Sequence, residues 1–354
     1  MKKNRHQFTL LLPIALALAF VFSPAYATEL TIYIWEDYLS EKVIENFTKE
    51  TGISIKQVHF DSDQTRDEVV ASTGGEKFDL VIFDAVSGMI FGKNDHLLGI
   101  SKSLIPNITN IDKRWKESCG NFGVPYSYGT VGILYDKTKT TPPKSWSDLL
   151  NPSKEHQGHI GMIKDMTDTL IPALLYLGYN LNSEKEVELK KAYELLRQQV
   201  KFVSSYDYAI SAIQSTDEIK KDIHLALGFS GDQYTLNELS GTENWEYVIP
   251  QEGTALWVDC MAIPRKSENQ KEALAFLNYL YTPQAAADTT EDLYIPTAIS
   301  AARELLSEET ANDADIFPSE EQLSNAQMYR ILSDSNLQQR RRILDALIKQ
   351  HEAQ

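Results

Sequence analysis

Short runs of alternating, β-branched residues recur along this chain, each followed by a helical pattern, and that rhythm limits its fold more than any other feature. Residues 30–35 alternate; Ser40 then stands as an N-cap before Val43, Ile44 and Phe47, with Gly52 as a stop. Residues 53–60 alternate again, and 78–83 read as a buried strand between helical patterns. Two strand-like runs, 123–128 and 131–135, are separated by Gly129. Beyond them the spacing predicts a strand over 159–163, a helix from about 167 to 177 stopped by Gly178, a helix over 184–200 and a strand over 223–229. Residues 256–264 form a strand suited to crossing back, followed by helices over 270–280 and 336–350. Alternation of this kind implies an α/β fold built on open sheets with right-handed crossovers.

The first residues are of another kind. Lys2, Lys3 and Arg5, an apolar stretch over 8–22 and then Ala25-Tyr26-Ala27 make a secretory signal with a small-x-small cleavage site. The apolar stretch is shorter than the roughly 20 residues that span a bilayer. Cleavage after Ala27 is expected, and the absence of a cysteine there argues against a lipid anchor.

The remaining 327 residues exceed what one core organises, so two lobes are expected. We place residues 1–27 in the signal, 28–135 plus 258–303 in the first lobe, and 136–257 plus 304–354 in the second with the C-terminal helix. Pro142-Pro143 and Ser145-Trp146 mark the change of region. The full chain carries a net −16; without Lys2, Lys3 and Arg5 it has 31 basic and 50 acidic side chains, or −19. Such a field repels nucleic acid and anionic lipid and draws in cations, although it also keeps an exported protein soluble. Cys119 and Cys260 are the sole cysteines, and an exported compartment admits either a bridge or two buried thiols.

Catalytic signatures are missing: there is no nucleophile elbow, phosphate-binding loop, His-Glu-x-x-His or dinucleotide fingerprint. His156 and His159 are near neighbours but lack a third metal ligand, so they read as surface histidines. Asp61, Asp63 and Asp67 lack the glycine and closing glutamate of a calcium loop and read as a loop and helix start. Arg340 to Arg342 read as a solvated helix face.

What remains is a repeated local pattern, a strand ending in aromatic and acidic residues, where open α/β sheets place their ligands. Trp35, Glu36, Asp37 and Tyr38 follow the first strand; Asp84 follows the third; Asp165 and Asp168 open the helix after residue 163. Phe229 and Asp232 end another strand, and Trp257 and Asp259 lie on the returning one. An aliphatic polyamine needs carboxylates at intervals for its ammonium groups and ring faces for its methylenes, with cation–π contact worth about 0.5 to 2 kcal/mol. Taken singly, each residue also has a plainer role: Asp168 as a charge at a helix N-terminus, Asp37 as a cap, Trp257 as core.

The chain resembles the periplasmic spermidine/putrescine-binding proteins in the runs Tyr33-Ile-Trp-Glu-Asp-Tyr38, Glu45-Asn-Phe-Thr-Lys-Glu-Thr-Gly52, Phe78-Asp-Leu-Val81 and Gly253-Thr-Ala-Leu-Trp-Val-Asp259 with Ala262-Ile-Pro264. Leu177-Gly-Tyr179, Pro296-Thr297, 301–306 and Ala311-Asn-Asp313 extend the match over nearly the whole mature chain. The resemblance implies a type II periplasmic binding protein, two-lobed, with a ligand cleft between the lobes and no catalysis or cofactor. It implies a monomer in the periplasm that presents its ligand to an inner-membrane ABC permease. By position Trp35 and Tyr38 match the family's first-lobe aromatic wall, Asp165 and Asp168 its paired second-lobe carboxylates, and Trp257 and Asp259 its Trp-x-Asp. Phe229 stands where relatives carry tryptophan, Val86 where they often carry a tyrosine, and Asp84 where they carry a small polar residue. Their late tyrosine is displaced to Tyr294, with Ile295 at the matching place. One branch of the family reports triamines, notably norspermidine, to a membrane GGDEF or EAL protein of cyclic-di-GMP signalling that controls biofilm formation. These departures raise the expectation of a triamine sensor beside that of a transporter subunit. A binder of sugar or another small solute is the competing reading, since rings and acids also serve hydroxyls.

Overall fold

The alternating segment after Thr28 forms β1 (Glu29–Ile34), whose Leu30, Ile32 and Ile34 are fully buried. The computed structural model describes residues 28–60, 62–101 and 103–354; the expected signal with its cleavage site, and Asp61, lie outside them. Ser40 caps α1 (Glu41–Thr51) by accepting from the Val43 N–H, and Gly52 ends it at φ 74°, a left-handed conformation in which a side chain would be strained. Parallel β2 (Ser54–His59) follows, then α2 (Asp63–Thr73), β3 (Leu80–Asp84) and α3 (Ala85–Lys93).

The sheet is continuous through both halves of the molecule. β4 (Val124–Asp136) is a single strand of 13 residues, every one buried. β5 (Ile160–Gly161), β6 (Val203–Ser205), β7 (Leu225–Phe229), β8 (Trp245–Val248), β9 (Ala255–Ala262) and β10 (Gln327–Met328) complete it. The order is β2-β1-β3-β9-β4-β7-β5-β6, with β10 on β9 and β8 on β4. β1 runs parallel to β2 and β3, and β5 runs parallel to β6 and β7, while the central β3–β9, β9–β4 and β4–β7 pairs are antiparallel. The two parallel portions are therefore joined by β4 and β9.

Two apolar cores flank that junction. One gathers Ile32, Phe47, Leu80, Phe83, Tyr128 and Phe276; the other gathers Val131, Ile133, Trp146, Ile160, Leu196 and Leu347, with a small satellite around Leu134, Leu236 and Trp245. Burying each such side chain contributes about 1.5 to 3 kcal/mol. The cores divide on β4 between Tyr128 and Val131, not after residue 135, and on β9 between Ala255 and Leu256. Residues 304–354 also do not stay in the second lobe as expected. Leu306, Leu323 and Met328 pack with the first core, whereas Tyr329, Ile343 and Leu347 pack with the second, so the chain crosses a third time at Met328–Tyr329.

Gly129 does not break the strand, although it reads as a break in sequence. A Cβ there would lie 2.1 Å from Cζ2 of Trp257, its partner on β9, so the glycine admits the indole across the ladder. Arg340 likewise leaves the expected solvated face: it is fully buried and donates to the carbonyls of Leu181 and Ser183, while Arg341 and Arg342 are exposed.

Cys119 and Cys260 are bridged, 141 residues apart in sequence. A closed loop of this length removes much unfolded-chain entropy, typically worth about 2 to 4 kcal/mol. The C119S/C260S variant should lose about that much stability in urea unfolding, with its m-value raised because the unbridged unfolded chain exposes more surface; a loss under about 0.5 kcal/mol would contradict the loop-entropy account.

Candidate ligand site between the lobes

Each strand end named above delivers side chains to the region where the cores divide. Trp35 leaves β1 partly buried and packs edge-on against Phe60, ring centroids 4.3 Å apart. The turn through Glu36 and Asp37, the latter at φ 53°, brings Tyr38 back, and its hydroxyl donates to Asp259 Oδ2 at 2.9 Å. Tyr126 holds that turn by donating to the Tyr38 carbonyl at 2.8 Å. Glu36 and Asp37 in this turn are exposed.

From the second lobe, the chain after β5 makes a tight turn in which Asp165 Oδ1 accepts from the Thr167 and Asp168 N–H groups. Asp168 itself is left facing Tyr329, whose hydroxyl donates to Oδ1 at 2.6 Å. The site thus contains two carboxyl–phenol pairs built alike, Asp259 with Tyr38 and Asp168 with Tyr329. Desolvation pushes Asp168 up to about 8, helped by the charges of Asp165, Asp63 and Asp84 and partly offset by the Tyr329 hydroxyl. Asp259 is pushed up to about 7, again chiefly by desolvation, with the Tyr38 hydroxyl and Arg66 opposing and Asp63 and Asp84 adding to the shift. A carboxyl in this condition is short of positive charge.

Arg66 of α2 lies among these acids; it is 1% exposed and pairs with Asp63, with Asp67 at 2.8 Å and with Asp84 at 3.1 Å. Its Cζ lies 4.9 Å from the Phe83 ring centroid. Asp84 is therefore not the additional free carboxylate suggested by sequence. Oδ1 accepts from the Val86 and Ser87 N–H groups to cap α3, and Oδ2 takes Arg66. Asp84 still stands directly across the ladder from Asp259, so its charge is felt there.

Asp232 is also occupied. Both its oxygens are used inside the second lobe, one by the Tyr208 hydroxyl and the other by the Phe229 N–H at 2.7 Å, so it positions Phe229 rather than facing a solute. Phe229 ends β7 half-buried and makes an edge contact with Tyr208. Trp257 lies half-buried over Gly129, its Nε1 without an acceptor among the described residues. Tyr294 is half exposed at the left-handed end of the helix Pro283–Leu293 and tilts against Tyr234, centroids 5.7 Å apart.

Tyr329 and Arg66 were not singled out by sequence. Tyr329 lies in an unpatterned stretch that only the third crossing brings to Asp168, and Arg66 was hidden in a run of aspartates. Two lobes joined by crossing strands, with paired acids and ring faces presented between them, define a solute-binding protein. Over residues 42–318 the chain matches the family description "bacterial extracellular solute-binding protein". It is 34% identical to the norspermidine sensor of Vibrio cholerae, covering 93% of this chain and 91% of that one. It is 33% identical to the putrescine-binding periplasmic protein SpuD of Pseudomonas aeruginosa over 82% of this chain and 84% of that one. Among solved structures, the spermidine/putrescine ABC transporter substrate-binding protein PotD of Streptococcus pneumoniae superposes with a TM-score of 0.81 at 27% identity, covering 92% of this chain and all of that one. The chain belongs to the bacterial extracellular solute-binding protein family. These relatives are named as binding proteins or a sensor, none as an enzyme.

Proposed function

We propose that this is a periplasmic polyamine-binding protein whose lobes close on a triamine and present it to a membrane partner. The observation that carries this reading is the pair of carboxyls from opposite lobes, Asp168 and Asp259, each bonded to a phenol and each raised by desolvation in the absence of a cation. An ammonium group at each would restore the charged form, and Trp35, Phe229 and Trp257 would flank the methylenes between them. Asp165, beside Asp168, leaves a third charge for a chain with more than two amines. The names of the relatives support the same ligand class. The membrane partner in this reading is either an ABC permease, in keeping with the PotD relative, or a GGDEF or EAL signalling protein, in keeping with a relative named as a sensor.

Thermal melting in putrescine, spermidine, norspermidine and spermine is the direct test, because a ligand of the native state raises the midpoint. The triamines should give the largest shift. No shift with any amine, together with a clear shift from a sugar, would overturn the proposal in favour of a neutral-solute binder.

A further inference from the structure

We infer that His159, His224 and Asp222, with His156 beside them, bind a divalent transition-metal ion of the zinc class at the pole of the second lobe opposite the cleft. His159 and His224 immediately precede β5 and β7, which are adjacent and parallel with Ile160 paired to Leu225. The His224 N–H donates to the His159 carbonyl at 2.9 Å. Strand register therefore sets the two imidazoles side by side, stacked 4.0 Å apart with 7° between their planes. Asp222, two residues before His224, closes the group. Its Oδ2 is 3.1 Å from His159 Nδ1, where the Asp222 carbonyl also lies at 3.0 Å, and its Oδ1 is 3.6 Å from His224 Nε2.

One ligand atom from each of the three residues lies within 4.8 Å of the others. His156, buried at the end of the turn Lys154–His156, brings Nδ1 to 3.1 Å from His224 Nδ1. His159, Asp222 and His224 thus supply three donors, which leaves solvent the fourth position of a tetrahedral ion, and His156 contacts the other edge of the His224 ring. Imidazole with carboxylate suits zinc, nickel or copper and not calcium or magnesium, which prefer oxygen alone.

Two features oppose binding as the side chains now lie. Stacked rings have parallel lone pairs, so at least one imidazole must turn about its broad terminal torsion to face a common ion at about 2.0 to 2.1 Å. Lys139 Nζ also sits 2.8 Å from Asp222 Oδ1 and must be displaced; its stem is one-third exposed and free to swing. That ammonium shows the position already attracts a cation. The strand β7 lies between this pole and Phe229, about 16 Å at roughly 3.3 Å per residue, so the two sites are separate.

The test is equilibrium dialysis of the untagged mature chain against Zn²⁺, with Mg²⁺ and Ca²⁺ as controls. One zinc per chain is expected, with no retention of the controls, and Co²⁺ in its place should give visible ligand-field bands of a four-coordinate site. The H159A/H224A double variant should lose at least a hundredfold in zinc affinity and lose the cobalt bands. Its metal-free melting curve, superimposing on that of the parent, separates loss of ligands from loss of fold. Absence of stoichiometric zinc in the parent, or zinc retained unchanged by the double variant, would overturn the inference whatever the outcome with amines.

Discussion

Asp168→Asn and Asp259→Asn should each weaken triamine binding by two to three decades while leaving the ligand-free protein folded. A bound ammonium stripped of its carboxylate is a buried charge without a partner, which costs about 3 to 5 kcal/mol, or roughly 150-fold upward. The side-chain amide keeps an oxygen where Tyr329 and Tyr38 donate, so the local hydrogen bonds survive. Neither substitution should lower the melting point of the empty protein, because both carboxyls are held where ionisation is unfavourable. Titration calorimetry with norspermidine and spermidine reads the effect. A change under about threefold in both variants would remove these residues from the site.

Acidification should be still more damaging. In the empty protein Asp168 is raised to about 8 and Asp259 to about 7, whereas a bound ammonium requires both as carboxylates. Binding therefore releases protons, about one at pH 7.5 and nearly two at pH 6, and affinity falls about tenfold per proton per pH unit. From pH 8 to pH 5 the loss amounts to about 4.7 decades. The sign for stability follows from the same shifts. In the unfolded chain these groups ionise near 4, yet folded they hold their protons to about 7 and 8, so their contribution is fully favourable below pH 4 and is lost as pH rises to 8. A salt-bridged aspartate behaves in the opposite way. Calorimetry in buffers of differing ionisation heat counts the protons, and a pH-independent affinity over this range would show that the carboxyls are already ionised before the amine arrives.

The parts of the fold governed by short-range rules were legible in the sequence. Ser40 and Gly52 bound the first helix as read, and the helix Gln270–Leu280 has the expected limits, because caps and periodicity act within a few residues. Gly129 was misread because its reason for being glycine, the Trp257 ring, lies 128 residues away. The acids show the limit more sharply. Asp84, Asp168 and Asp232 each stand at a strand end ahead of a helix, a place that suits a cap and a ligand equally. Only long-range partners separate them: Arg66 claims Asp84, Tyr208 claims Asp232, and Tyr329 donates to one oxygen of Asp168. The histidines escaped for the same reason, since His224 and Asp222 reach His159 only through the pairing of β5 with β7.

The Cys119–Cys260 bridge has a mechanical consequence. It rivets one of the two crossing strands to the first lobe at the residue next to Asp259, so flexing of that strand is pushed toward its other end, near Ala255. Asp259 and Tyr38 are thereby held together on the first lobe, while Asp168 and Tyr329 are held together on the second. For the proposed polyamine ligand, the two half-sites would stand assembled in advance, and closure would only have to set the span between them.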